Sequence, residues 1–135
     1  MRLGLLMLAA MTACADGREP FTTDDPTDAP VIEVTFSEYI EPKLQTCVGC
    51  HRGDKPDGAL DLTGDMYEIL TTTPSGQADM ALVEPEDAAY SYLWHKINGS
   101  QSLAGGAGTR MPLGERWSDE DIELLALWID LGAAP

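Results

Sequence analysis

Cations, histidines and cysteines are all scarce in this chain. Of its 135 residues, 8 are Lys or Arg against 23 Asp or Glu, a formal net charge of −15. A surface so negative argues against nucleic acid or an anionic lipid face as the partner. It fits a partner that presents a positive patch. Three Cys permit at most one internal disulfide, which excludes a disulfide-built miniprotein. No apolar run reaches the roughly 18–20 residues that span a bilayer, which excludes a polytopic membrane protein. What is present is a 44% hydrophobic complement with three Trp, enough at this length for one globular domain and little else.

The first residues read as an address. Arg2 precedes the short apolar stretch Leu3 to Met11, and small residues follow, the pattern of a secretory signal peptide over residues 1–13. Met11-Thr12-Ala13-Cys14 resembles a bacterial lipoprotein cleavage site, which implies that Cys14 is diacylated and becomes the mature N-terminus. Two or more acyl chains anchor stably where one is marginal. The expected location is then the cell envelope, membrane-anchored and facing the periplasm or the exterior. The alternative is an ordinary signal peptide that leaves Cys14 a stray thiol. Residues 14–30 are rich in Pro, Thr and Asp with no apolar period, so they are expected to form a disordered acidic tether. The folded domain is expected over 31–135.

Four helical patterns follow, with no sustained alternation, so the expected class is all-α. The first begins at Thr35 with Glu38 as a capping-box pair, places Phe36, Ile40 and Leu44 on one face, and carries Pro42, which should bend it. The second runs from Asp65 to Leu70. The third is expected as one helix from Ala88 to Asn98, capped by Asp87 and ended by Gly99. The fourth opens at Ser118, buries Ile122, Leu125, Trp128 and Ile129, and ends at Gly132.

Chemistry concentrates in Cys47-Val48-Gly49-Cys50-His51. Cys-x-x-Cys-His is the c-type haem attachment pattern. Two thiols three residues apart on a helical turn face the same side and can add to the two vinyl groups on one porphyrin edge. His51, directly after, then serves as proximal iron ligand. The expected cofactor is one haem c, covalent through Cys47 and Cys50. Two rivals stand beside it. A redox dithiol needs a preceding strand, and none is read there. A zinc site needs four ligands, and Cys47, Cys50, His51 and His95 supply that number, although adjacent ligands such as Cys50 and His51 are unusual.

A six-coordinate iron needs a further ligand, and the candidates are Met66, Met80, Met111 and His95. Met111 lies in the Gly/Pro segment Gly108 to Gly114, whose backbone can approach a cofactor closely. Met66 and Met80 sit among apolar residues and read as core filling. His95 reads as a surface or cofactor-edge residue. Lys43, Arg52 and Lys55 flank the attachment motif, and Arg110 and Arg116 flank Met111. They are expected either to be solvated or to face acidic groups of the cofactor.

With this motif, Met111-Pro112 and the C-terminal Trp128-Ile129-x-x-Gly132, the chain resembles a class I cytochrome c domain. It is most similar to the planctomycete type, through Gly58-Ala59-Leu60-Asp61-Leu62, Leu82-Val83-Glu84-Pro85 and Ser91-Tyr92-Leu93. The resemblance spans about Thr35 to Ala133. It implies His51 and Met111 as axial ligands and first and last helices packed across each other. One departure is Glu86, where Gly after the proline is commoner. The expected function is a monohaem electron carrier, not an enzyme in its own right, with redox proteins as partners and the membrane reached through the lipid anchor alone. The alternative is a haem-based sensor with a labile sixth ligand.

Overall fold

The computed structural model describes residues 33–135. The expected signal peptide, Cys14 and the tether lie outside the described residues. Within them the chain is helical, and pairing outside helices is limited to isolated bridges at Pro74–Ala81 and Ala81–Ser91. No helix among the described residues is long and apolar enough to cross a membrane.

The first helical segment changes its winding along its length. It opens as a wide π turn (Phe36–Ile40), becomes α1 (Glu41–Leu44) and narrows to a 3-10 turn (Gln45–Gly49). Pro42 accounts for this. It has no N–H to give, and its ring crowds the carbonyl four residues back. The Glu41 N–H reaches back five residues to Phe36 O, which widens the ladder just ahead of the ring. The Thr35 side chain makes no cap bond, contrary to the capping-box expectation; its carbonyl instead accepts from Tyr39 N–H at 3.2 Å. Phe36, Ile40 and Leu44 are buried as their spacing predicts.

Helix α2 (Met66–Thr72) is capped by Asp65, whose carboxylate accepts from Glu68 N–H at 3.0 Å. The expected single helix over 88–98 is two pieces. A 3-10 turn (Ala88–Tyr90) ends at Ser91, which is extended, and α3 (Tyr92–Asn98) follows. Ser91 breaks the run because its fully buried hydroxyl is engaged elsewhere. It accepts from Glu84 N–H (2.8 Å) and donates to Asp87 O (2.9 Å). The next two amides, of Tyr92 and Leu93, donate to Ala81 O and Leu82 O, so the 81–87 loop takes the bonds a continuous helix would have used. Gly99 closes α3 at φ 95, in the left-handed region that favours glycine.

Helix α4 (Asp119–Asp130) matches its sequence pattern. Ser118 accepts from Asp121 N–H at 3.1 Å, and Ile122, Leu125, Trp128 and Ile129 are buried. It packs against the first helical segment. The Phe36 ring lies 5.5 Å from those of both Tyr67 and Trp128. The carbonyl of Ala134 accepts from both Phe36 N–H (2.9 Å) and Trp128 Nε1 (2.8 Å), and the Lys43 ammonium pairs with Asp121 at 2.6 Å. Each buried aromatic of this size removes about 150–250 Å² from water. At about 25 cal/mol per Å², that contributes about 4–6 kcal/mol per ring before entropy is counted.

Candidate functional site

The 3-10 turn that ends the first helical segment wraps the Cys47–His51 pentapeptide around one carbonyl. Cys50 N–H and His51 N–H both donate to Cys47 O, at 3.1 and 3.0 Å. Downstream backbone fixes the turn from below, with Asp57 N–H on Cys50 O (3.2 Å) and Leu62 N–H on His51 O (2.9 Å). The neighbouring Asp61 carboxyl is held below its ordinary range by hydrogen bonds from the Thr63 hydroxyl and amide, which stiffens the same loop.

Cys47 is half-buried, Cys50 is exposed, and neither is in a disulfide. Burial pushes the Cys47 thiol up. A hydrogen bond with Thr46 opposes this in part, and the nearby Cys50 adds to the rise. That is the reverse of the depressed thiol a redox dithiol requires.

Beside the turn lies a partly open cleft with a cavity volume of about 170 Å³. Leu44, Leu62, Leu70, Leu82, Leu93 and Ile97 supply its apolar lining. Cys47 and His51 line it, and so do Met111 and Pro112, which arrive from the far end of the domain sequence. The His51 Nδ1 atom is buried with no hydrogen-bond partner. A buried ring nitrogen left unpaired is unfavourable by about 1–3 kcal/mol, so this one has a free position for a ligand or a water.

The other candidate ligands lie elsewhere. Met66 is buried in the core and Met80 packs at its edge. The His95 ring is held at both nitrogens, Nδ1 by Ser100 Oγ (2.7 Å) and Nε2 by Ala89 O (2.8 Å). None of the three lines the cleft. Among the described residues no three His, Cys, Asp or Glu gather as metal ligands, so the four residues a zinc site would use are not assembled. Cys50 is not part of the cleft lining either, and its side chain is exposed.

Of the flanking cations, Arg52 and Lys55 are exposed, in line with the solvated alternative, while Lys43 pairs with Asp121 and the exposed Arg116 with Asp119. The cation that does line the cleft is Lys96, together with Tyr92 and Gln77. Burial holds the Lys96 ammonium below the ordinary lysine range and raises the Tyr92 phenol. A signal for this pair was present in the sequence: Tyr92 and Lys96 are four apart and share a helix face.

Compared with protein-family models, curated proteins and solved structures, the chain matches none.

Proposed function

We propose that this chain is a monohaem c-type cytochrome, a lipid-anchored electron carrier of the bacterial cell envelope with His/Met-ligated iron, and not an enzyme. The observation that carries the reading is the shared cleft: Cys47 and His51 of the attachment motif line the same apolar space as the sequence-distant Met111. The cleft lining is mostly apolar, and His51 offers a buried nitrogen that no protein group satisfies. These features fit a flat, apolar tetrapyrrole.

The roles follow from the residues. Cys47 and Cys50 would hold haem through thioether bonds, and the exposed Cys50 thiol leaves one of the two reachable from solvent. His51 would supply the imidazole ligand and Met111 the thioether sulfur. Bound haem supplies a one-electron ferric/ferrous couple. Leu44, Leu62, Leu70 and Ile97 exclude water and lower the local dielectric, which disfavours the more charged state. A Met in place of a second His raises the potential further. With His51 and Met111 both serving as ligands, the chain would leave the group no free site for a substrate. The finer reading of a class I, planctomycete-type domain is supported by the packing of the first helical segment on α4 and by the Met loop that follows α3.

The deciding experiment is a haem stain on a denaturing gel, after expression in a host that matures c-type cytochromes. The wild type should stain and Cys47→Ala plus Cys50→Ala should not. A wild type without covalent haem would end the proposal.

A further inference from the structure

Lys96 touches the Met111 loop with both its main chain and its side chain. Its carbonyl accepts from Met111 N–H at 2.9 Å. Its ammonium donates to Ala107 O at 2.8 Å and to Gln77 Oε1 at 3.2 Å. Gln77 Oε1 also accepts from the Tyr92 hydroxyl at 2.7 Å. One lysine therefore connects α3, the 74–77 segment on the cleft wall and the glycine-rich strap of residues 105–108.

The strap is built to lie close. A Cβ at Gly106 would collide with the Tyr92 hydroxyl and ring, so only glycine allows the approach. Gly105 and Gly108 take φ 81 and φ 75 on either side of Ala107. Next to it, Gln101 Nε2 donates to Gly108 O at 3.0 Å. Glycines leave this backbone free to wander, so its course is set by these few polar contacts. The ammonium is the charged one among them, and charge-assisted bonds are roughly twice as strong as neutral ones.

We propose that Lys96 is the positioning residue for Met111: its ammonium pins the strap at Ala107 while its carbonyl pins Met111 itself, holding the thioether at the cleft. The inference rests on Met111 being the sixth ligand, and it adds the device that keeps that ligand in place. Removing the ammonium leaves the carbonyl contact intact but frees the strap, so the thioether should leave the iron more often.

The test uses the haem-loaded full chain and compares wild type, Lys96→Met, Lys96→Gln, Lys96→Arg and Met111→Ala. Carbon monoxide association to the ferrous protein reports how often the sixth position opens; thermal unfolding is followed in parallel. Lys96→Met should bind carbon monoxide about tenfold faster than wild type, the factor one charge-assisted bond supplies. Lys96→Gln should be intermediate, and Lys96→Arg, which restores a cationic donor, should return toward wild type. Met111→Ala should bind fastest. If Met111→Ala is fast and both Lys96→Met and Lys96→Gln match wild type, the positioning role is wrong and the ligation stands. If Met111→Ala itself matches wild type, the ligation is wrong and the positioning role falls with it. A lower melting temperature in Lys96→Met at an unchanged association rate would reveal a purely structural lysine and overturn the proposal.

Discussion

Replacing Glu86 by glycine should stabilise the domain. Glu86 sits at φ 70, and its side chain is exposed. For an L-residue the left-handed region costs roughly 1–2 kcal/mol. Glycine avoids that cost but adds roughly 0.5–1 kcal/mol of backbone entropy to lose on folding. The difference of the two ranges runs from about 0 to 1.5 kcal/mol, so Glu86→Gly should be more stable by about 0.75 kcal/mol at the midpoint. The position must keep its N–H, because Glu86 N–H donates to Ile129 O at 2.8 Å and ties the turn to α4; glycine retains it. In a domain of this size 1 kcal/mol moves the melting temperature by roughly 4–8 °C, so a rise of about 3–6 °C is expected at that midpoint. Removing one negative charge from a chain at −15 also helps, and Glu86→Ala isolates that part because it leaves the strained backbone in place. The assay is thermal unfolding by circular dichroism on the purified protein, wild type and both variants side by side. Should Glu86→Gly melt no higher than Glu86→Ala, backbone strain at this turn is not what limits stability.

Other substitutions probe other joints. The Asp121 carboxyl is lowered, chiefly by its hydrogen bond from Lys43, so its unfolded value of 3.8 lies above its folded one. Its stabilisation is therefore complete well above pH 3.8 and disappears as pH falls through the lower folded value; both side chains are about a third exposed, which limits the contribution to about 0.5 kcal/mol. Lys43→Met should raise the Asp121 titration seen by carbon-detected NMR, and an unmoved titration would refute the pairing. Ser91→Ala leaves Glu84 N–H without its buried acceptor, and urea unfolding should show a loss of about 1–3 kcal/mol. Cys14→Ser should shift the protein to soluble fractions with covalent haem retained; unchanged fractionation would remove the lipid anchor.

Helix α4 was fully legible in the sequence, because cap, acidic first turn, apolar stripe and terminal glycine all agree there. The first helical segment was legible only as a buried face. Its spacing marks Phe36, Ile40 and Leu44 correctly, but a periodicity of four does not say where Pro42 will push the ladder into π and 3-10 winding. The break at Ser91 escaped because serine's competing partner, Glu84 N–H, lies seven residues back and outside any local window. In the candidate site, residue type and setting singled out Cys47, His51 and Met111, which line the cleft, and Cys50, which does not. Lys96 was not, since its role depends on the carbonyl of Ala107 and the amide of Gln77, backbone and side-chain partners that only the folded loops bring to it.

The junction at Ala134 O bears on how the domain opens. Phe36 N–H opens the first helical segment and Ala134 follows α4, yet they share a hydrogen bond beside the Trp128 indole. Segments at the edge of a fold ordinarily fray first and exchange their amide protons fastest. Here neither segment can peel away without withdrawing Phe36 from Trp128 and Tyr67, which exposes part of the core. Local fraying is thereby converted into global unfolding, and the Phe36 amide becomes a reporter of the whole domain's stability.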